Sequence, residues 1–405
     1  MAMTKPGGPL AGIRVLDLTS VLLGPYATQL LAEMGAEVIK VEAPEGDVVR
    51  QIGPQRHPGM GCMFLTINRG KRGVALDLKQ PAALQALLRL ITSCDVLAYN
   101  IRPHSMERLG LGWEAVQKIN PRIVYAGLYG FGQDGPYAAK PAFDDLMQGL
   151  SGLAALNART GDGTPRYAPL AMMDRVVGLH GLSAILAALV ARGSTGLGQR
   201  VDVPMFETML TFTMGDHLSG LVFDPPLDAG GYGRLLSPDR RPYRTKDGFL
   251  CAMIYTDKQW RAFFKAIGER DLVAEDPRFA SHAKRIQNID AVLGWLSGVL
   301  ATRTTAEWIT LLDAVDVPVA PVHDLSSIFQ DPHIQATGFF AEEDHPSEGR
   351  LRRMASPMRF EGGEVPRRPA PRFGEHTLEV LREAGLEEAE IAALVASGAA
   401  LTPKD

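Results

Sequence analysis

Asp174 is an isolated carboxylate in apolar surroundings. It is the only Asp or Glu between Gly163 and Val201, and the run from Arg175 to Ala191 that follows it predicts an apolar helix. Carboxylates are seldom buried without a partner because removing the charge from water costs free energy. Asp174 therefore either caps the start of this helix or takes part in catalysis with a perturbed pKa. Taken alone, its position favours the cap, since every helix start needs one.

Basic side chains form a second group that could bind a ligand. The segment Asn68–Arg72 and Lys79 flank one predicted strand, and Arg102 and Arg108 follow another. Cations at strand ends can bind phosphates, although each cluster can equally be an ordinary solvated loop. The chain lacks a G-x-G-x-x-G loop near its first predicted strand, Ile13–Leu18, which disfavours a dinucleotide cofactor such as NAD.

The first two hundred residues alternate β-branched runs with helical stretches, which predicts a doubly wound α/β fold with a parallel sheet. The predicted strands are Ile13–Leu18, Glu37–Glu42, Val74–Leu78, Val96–Asn100 and Ile123–Leu128, and the predicted helices are Pro25–Met34, Pro81–Ile91, one from Asp144 and one after Asp174. Ligands of such folds collect outside the carboxyl ends of the strands.

The composition changes at the Pro/Gly-rich stretch that begins near Asp224. We predict a large domain at residues 1–223, completed by 340–405, and a linker with a smaller α+β domain at 224–339. Within the smaller domain, Lys246-Asp247-Gly248 predicts a hairpin turn, and helices are expected at Asp257–Ile267, Ile289–Leu300 and Thr305–Val315. His180 and the pair Phe263 and Phe264 are expected in the core.

Composition bounds the class of protein. The chain has 405 residues, 46% of them hydrophobic, and a net charge of −4, so neither nucleic acid nor an anionic membrane is expected as a partner. Cys62, Cys94 and Cys251 are widely spaced, which argues against a disulfide framework or a metal site and favours a cytoplasmic protein. The uncharged run Val176–Ala191 is expected to be too short to span a bilayer.

Ordered motifs give the sequence a resemblance to a known family. They are Leu10–Leu18 with Gly24-Pro25, Leu31–Glu42, Asn68–Lys79, Asp95–Leu97, Arg108–Gly110 and Gly196–Val203. In these motifs, over nearly its whole length, the chain resembles the class III CoA-transferase (CaiB/BaiF) family. The resemblance implies a Rossmann-like large domain plus a smaller α+β domain, in an interlinked homodimer.

The resemblance also implies site residues. Asp174 falls on the position of the family's nucleophilic aspartate. The implied CoA contacts are Val21, Leu22, Leu23, Ala43, Leu76, Asp77, Leu78, Lys79, Asn100, Ile101, Arg102 and Arg108. Ala43 departs from members that have an arginine there, and Arg50 is the nearby residue that could replace it.

The implied reaction moves CoA from an acyl-CoA to a carboxylic acid through an aspartyl-CoA thioester on Asp174. The CoA thioester is then a substrate, with no permanently bound cofactor and no metal. The tetrahedral intermediates need N–H donors, for which the helix start at Arg175 and the loop Gly132–Gly135 are candidates. Gly230–Gly233 is either a closing loop or a plain linker.

The identity of the acids is less constrained by the sequence. An arginine group, Arg234, Arg240, Arg241 and Arg244, either binds the second carboxylate of an acyl group such as succinyl or belongs to a solvated linker.

Two alternatives stay open within this resemblance. The same superfamily contains α-methylacyl-CoA racemases, which pair their aspartate with a histidine and a glutamate. This chain has Phe143 at the histidine position and Arg244 at the glutamate position, and phenylalanine cannot transfer a proton. The other alternative is a catalytically silent protein that binds acyl-CoA without forming a covalent adduct.

Overall fold

The computed structural model describes residues 7–361, 365 and 368–403. Its strands are β1 (Arg14–Leu18), β2 (Glu37–Glu42), β3 (Lys71–Leu76), β4 (Val96–Tyr99), β5 (Val124–Tyr129), β6 (Arg200–Pro204), β7 (Tyr243–Arg244), β8 (Phe249–Ala252), β9 (Val319–Pro321), β10 (Phe340–His345), β11 (Gly349–Met354) and β12 (Ala400–Leu401).

The α-helices alternate with the strands through the first part of the chain. They are α1 (Leu23–Glu33), α2 (Cys62–Ile67), α3 (Pro81–Ile91), α4 (Pro103–Arg108), α5 (Trp113–Ile119), α6 (Asp144–Leu150), α7 (Leu153–Thr160), α8 (Met172–Thr195), α9 (Met205–His217), α10 (Gly233–Leu236), α11 (Asp257–Ile267), α12 (Leu272–Glu275), α13 (His282–Gln287), α14 (Ile289–Leu300), α15 (Thr305–Asp313), α16 (Pro332–Thr337), α17 (Thr377–Glu383) and α18 (Glu388–Ala396).

The main sheet is almost entirely parallel, which confirms the predicted mixed α/β class. Its strand order is β12-β3-β2-β1-β4-β5-β6, and only β12 runs antiparallel to its neighbour. The registers Leu16↔Ile39 and Leu16↔Leu97 place three buried side chains side by side in its centre. Both faces are covered by helices, so the strands are near-continuous apolar runs rather than alternating ones.

The C-terminal segment contributes to the core of this sheet. Val380, Leu381, Ile391 and Leu394 of α17 and α18 are buried in the same cluster as the residues of α3, and β12 pairs with β3. The burial of these apolar side chains holds the C-terminal helices against the sheet.

A smaller sheet, β7-β8-β9, is antiparallel throughout. The turn at Lys246-Asp247-Gly248 joins β7 to β8 as the sequence predicts. An aromatic core packs beside this sheet, with Trp260, Phe263 and Phe264 buried among other rings. The expectation of core positions for both phenylalanines is confirmed.

The chain forms two compact units. Unit 1 comprises the residues up to Ser151, Ala168–Thr211 and those from Gly338 onward, and unit 2 comprises Gly152–Tyr167 and Phe212–Thr337. Relative to the predicted boundaries at 224 and 339, residues 152–167 and 212–223 cluster with unit 2. Helix α7 packs against α10 there, a contact between sequence-distant segments that periodicity does not reveal.

Helix α8 is longer than the sequence analysis anticipated. It has 24 residues and is the one helix of the described residues that could cross a membrane by length and composition, with a mean hydropathy of 1.7 in its most apolar window. The expectation that this run is too short is therefore wrong. The helix packs against α1, β5 and β6 within unit 1, and buried central helices of globular domains meet the same criterion of length and composition.

Candidate active site

A cavity lies at the carboxyl ends of β1 to β4, as the doubly wound fold predicts. Its volume is about 450 Å³. Six of the residues that the resemblance implies for CoA line it together: Ala43, Leu76, Asp77, Leu78, Lys79 and Ile101. These residues follow three different strands, and the parallel topology brings them to one edge of the sheet.

The other polar residues implied for CoA binding, Asn100, Arg102 and Arg108, lie close in sequence to residues that line this cavity. The Asn100 amide is oriented by Ser20: its oxygen accepts from the Ser20 N–H at 3.0 Å, and its nitrogen donates to the Ser20 carbonyl at 2.7 Å. Arg102 donates to the Ala139 carbonyl. Among the described residues, Lys79 and Arg108 have no carboxylate partner, so their charges are available to phosphates.

The basic segment Asn68–Arg72 is structural rather than a phosphate-binding or solvated loop. Lys71 is buried in β3 and its ammonium lies 3.0 Å from Asp17, while Arg72 pairs with Glu37 and Glu383. Burial alone raises the pKa of Asp17. The ammonium of Lys71 and the other donors to this carboxylate outweigh burial, and the pKa of Asp17 falls to about 2. The functional expectation for this segment was wrong because β3 starts at Lys71 and its side chain enters the core.

Arg50 does not replace the arginine that Ala43 lacks. Its guanidinium makes two bonds of 2.7 Å to the Glu42 carboxylate and lies 3.7 Å over the Phe64 ring. Arg50 is 3% exposed. A guanidinium held by a bidentate pair and a ring has no free face for an incoming phosphate.

Asp174 is the third residue of α8 and is 9% exposed. It is not the N-cap, which is Ala171, so the capping interpretation is wrong. The cap is supplied by Asp144 at the start of α6, whose Oδ2 accepts from the N–H groups of Met173 at 2.8 Å and Asp174 at 3.3 Å. In the part of the chain that the structure describes, the Asp174 carboxylate itself receives no hydrogen bond.

The surroundings of Asp174 favour its protonated form. Burial raises its pKa and the nearby Asp144 charge raises it further, against a smaller lowering by Arg175, so the pKa rises from 3.8 to about 7. An acid that titrates near neutrality and has no stabilising partner is typical of functional sites. Sequence analysis did not assign a role to Asp144, because nothing in the spacing of Asp144 and Asp174 predicts that they meet.

The N-terminal part of α8 lies beside the first turn of α1. A Cβ on Gly178 would lie 2.8 Å from the Leu23 carbonyl oxygen, so the two helices approach closely only because residue 178 is glycine. The Arg175 guanidinium lies 4.8 Å from the centre of the Tyr26 ring. Asp174 precedes Gly178 by one turn on the same helix face, which brings it to the side of α8 that faces α1.

The start of α1 offers backbone donors. Within residues 7–361, 365 and 368–403, the N–H groups of Leu22, Leu23 and Gly24 donate to no acceptor, and the helix has no side-chain cap. By contrast, the N–H of Gly132, an expected donor, is occupied by the Glu207 carboxylate at 2.9 Å. The N–H of Arg175, the other expected donor, points along its own helix to the Ala171 carbonyl.

Unit 2 contains a cavity of its own, of about 490 Å³. Three of the four arginines singled out in the sequence, Arg234, Arg240 and Arg241, line it, whereas Arg244 does not. The other lining residues include Tyr255 and the apolar side chains of α14. His180, expected in the core, is exposed on α8 because the helix buries only one of its faces.

Comparisons with known proteins show which family this chain resembles. The model of CoA-transferase family III matches residues 10–377. An acyl-CoA transferase of Fusarium pseudograminearum is 34% identical, over 95% of this chain and 87% of the relative. A succinate–glutarate CoA-transferase of Agrobacterium fabrum is 33% identical, over 95% and 97%.

A solved structure shows that the fold is also shared. The crystal structure of Rv3272 from Mycobacterium tuberculosis superposes with a TM-score of 0.80 at 32% identity, covering 92% of this chain and 99% of that one. The match extends over both units. The family model, the relatives and the solved fold together show that this chain belongs to CoA-transferase family III.

Proposed function

We propose that the protein moves CoA from an acyl-CoA donor to a carboxylic acid, with Asp174 as the covalent nucleophile. The observation that carries this proposal is the environment of Asp174: a buried carboxylate without a hydrogen-bond donor, beside the uncapped start of α1. A carboxylate that is not stabilised by donors is a stronger nucleophile than a solvated one.

The steps follow from that environment. Ionised Asp174 attacks the thioester carbonyl and expels the CoA thiolate. The product is a mixed anhydride between Asp174 and the donor acid. The thiolate then attacks the aspartyl carbonyl of the anhydride. This attack forms the aspartyl-CoA thioester and releases the donor acid. The acceptor acid then reacts with the aspartyl-CoA thioester through the same two steps in reverse. Each tetrahedral intermediate carries an oxyanion, which the free N–H groups at Leu22, Leu23 and Gly24 are suited to bind. The cavity at β1 to β4 would hold the CoA nucleotide, with Lys79 and Arg108 near its phosphates.

The test of the nucleophile is direct. Asp174→Ala is expected to abolish CoA transfer while CoA affinity stays within about threefold of wild type, since Asp174 is not among the residues that line the nucleotide cavity. Incubation with acyl-CoA followed by hydroxylamine is expected to mark Asp174, read by peptide mass spectrometry. Substantial transfer by the variant, or a mark on another residue, contradicts the proposal.

The same experiments distinguish the alternatives. A silent acyl-CoA-binding protein leaves no hydroxylamine mark. A racemase exchanges the α-proton of a 2-methylacyl-CoA with deuterated solvent without moving CoA. Phe143, which stands at the racemase histidine position, is 61% exposed and carries no group that accepts a proton.

We further propose that the acyl group is a dicarboxylate such as succinyl. Arg234, Arg240 and Arg241 support this, because a guanidinium binds a carboxylate through two parallel bonds. The Agrobacterium fabrum relative is named for two diacids. Arg240→Ala is expected to lower kcat/KM for diacids about tenfold and leave monoacids unchanged, with Arg244→Ala, outside the cavity, as the matched control. Equal losses for both acid classes would refute the assignment.

The quaternary structure is also a proposal. Phe143, Leu146 and Leu150 are exposed large apolar residues at spacings of three and four along α6, and a stripe of this kind is typical of an interface. We infer an interlinked homodimer of cytoplasmic enzyme, with unit 1 and unit 2 as its large and small domains. Sedimentation of the wild type against Leu146→Glu tests the dimer, since a buried charge would dissociate it; a monomeric wild type contradicts it.

A further inference from the structure

The loop between β1 and α1 contains an unfavourable backbone conformation. Val21 has a φ of 68°, in the left-handed region that β-branched residues avoid. The loop also turns tightly, since a Cβ on Gly24 would lie 2.3 Å from the Cβ of Thr19. A conformation of this kind persists only where surrounding contacts hold it.

A buried ion pair supplies contacts on both sides of Ser20, whose own N–H and carbonyl bond to the Asn100 amide. Asp47 Oδ1 accepts from the Val21 N–H at 3.1 Å, and Asp47 Oδ2 lies 2.8 Å from the Lys40 ammonium. The same ammonium donates to the Thr19 carbonyl at 2.9 Å. The pair therefore binds the loop at two points, on both sides of Ser20, and both of its side chains are buried.

Lys40 is charged in this position. Burial lowers its pKa, but the carboxylates of Asp17, Asp47 and Glu42 outweigh that effect and hold the pKa above its ordinary value. Buried ion pairs add little net stability, because the loss of hydration offsets the attraction. The pair between Lys40 and Asp47 therefore matters more for the loop geometry that it imposes than for the stability of the fold.

The loop leads directly into the uncapped first turn of α1. The φ and ψ of Val21 set the direction of the N–H groups that follow, at Leu22, Leu23 and Gly24. If Val21 relaxed to an ordinary negative φ, the peptide plane before Leu22 would turn away. Asp174 lies one helical turn before Gly178, the residue of α8 that approaches the Leu23 carbonyl.

We propose that Lys40 and Asp47 are positioning residues of the transfer reaction, which hold Val21 in its left-handed conformation and so aim the backbone donors at the start of α1 toward the oxyanion formed at Asp174. This inference rests on the proposed function. Neither residue takes part in bond making, and the effect is transmitted through the backbone of the loop.

Asp47→Asn tests the inference because an amide has one acceptor oxygen where the carboxylate has two. The Val21 N–H and the Lys40 ammonium bond to different oxygens of Asp47, so the NH2 group of the variant faces one of these two donors and that bond is lost. Because Asp47 and Lys40 also line the cavity proposed for CoA, the single-turnover rates are compared at saturating acyl-CoA. We expect the rate of adduct formation at Asp174 to fall about 100-fold, the cost of misplacing an oxyanion donor. Asp95→Asn is the matched control, since it removes the charge from the 2.8 Å pair with Arg192, which lies at the amino ends of the strands, away from the loop.

A second variant separates positioning from a general loss of structure. Glycine adopts a positive φ without strain, so in the Val21→Gly background Asp47→Asn is expected to lower the rate only about threefold. If Asp47→Asn does not fold, Lys40→Met enters the same comparison, because it removes the bond to the Thr19 carbonyl. An equal fall in both backgrounds, or a fall in Asp95→Asn as large as in Asp47→Asn, overturns the inference.

The outcome is distinguishable from failure of the proposed function. If wild-type protein leaves no hydroxylamine mark on Asp174, the proposed function fails. If wild type is marked and Asp47→Asn is marked at the same rate, only the positioning role is refuted.

Discussion

The raised pKa of Asp174 has a measurable consequence for stability. The folded protein holds the proton more tightly than the unfolded chain does, so the ionised form weakens the fold. Below pH 3.8 the residue is protonated in both states and costs nothing; the cost grows between pH 3.8 and about 7 and is constant above that range. Asp174→Asn removes the ionisable group and is expected to stabilise the protein at neutral and alkaline pH.

The magnitude follows from the shift. At about 1.4 kcal/mol per pKa unit, a rise from 3.8 to about 7 corresponds to about 4 kcal/mol at pH 8. At pH 5 the same relation gives about 2 kcal/mol, because only the unfolded chain has ionised. The gain in the free energy of unfolding on Asp174→Asn is therefore expected to increase by about 2 kcal/mol between pH 5 and pH 8.

The assay is urea unfolding of both proteins across this pH range. Ionisable groups remote from residue 174 cancel in the difference between variant and wild type, so the pH-dependent part reports on residue 174 and on its interaction with Asp144. Asp145→Asn is the matched control: Asp145 is exposed beside Asp144, and a surface substitution changes the free energy of unfolding by less than about 0.5 kcal/mol. A difference that stays flat or falls with rising pH would show that Asp174 is not destabilised by its surroundings.

Three further predictions concern the same region. Asp144→Asn keeps an acceptor for the start of α8 but removes a charge, so the pH of half-maximal adduct formation at Asp174 is expected to move downward, measured by single-turnover rates; an upward move would contradict the assigned electrostatics. Lys79→Ala is expected to raise the Kd for CoA about fivefold at low salt, with a shallower salt dependence in calorimetry, and an unchanged salt dependence would remove Lys79 from the phosphate site. Gly178→Ala forces a Cβ against a carbonyl of α1 and is expected to lower the free energy of unfolding in urea by about 1–3 kcal/mol. Gly193→Ala, on the same helix with open space around it, is expected to raise it by about 0.5–1 kcal/mol. Equal effects of the two substitutions would refute the close helix contact.

Sequence patterns predicted the elements well where local chemistry decides them. Pro81–Ile91, Asp257–Ile267 and Ile289–Leu300 have the predicted bounds, because amphipathic periodicity and N-terminal signals are local. The start of β3 was predicted three residues late. Lys71 and Arg72 are charged residues that look solvated in sequence, and only pairing with distant carboxylates allows them into the sheet.

The candidate site shows the same division. The order of strands and the residues after them were sufficient to predict a ligand cavity at the carboxyl edge of the sheet, and six implied CoA contacts line it. The partners of individual side chains were not predictable. Arg50 is held by Glu42, and Asn100 is held by Ser20, because those contacts depend on how loops from different strands pack.

By itself, the sequence determined the α/β class, the family and the aspartate on which a mechanism can be built, because these depend on local periodicity and on ordered motifs. The tertiary structure decided the state of that aspartate. Asp144, distant in sequence, caps α8 in its place and raises its pKa, and Lys40 with Asp47 holds the strained loop at Val21. Charges and backbone donors act through space over a few ångströms, so their effect on Asp174 is fixed only when the chain has folded.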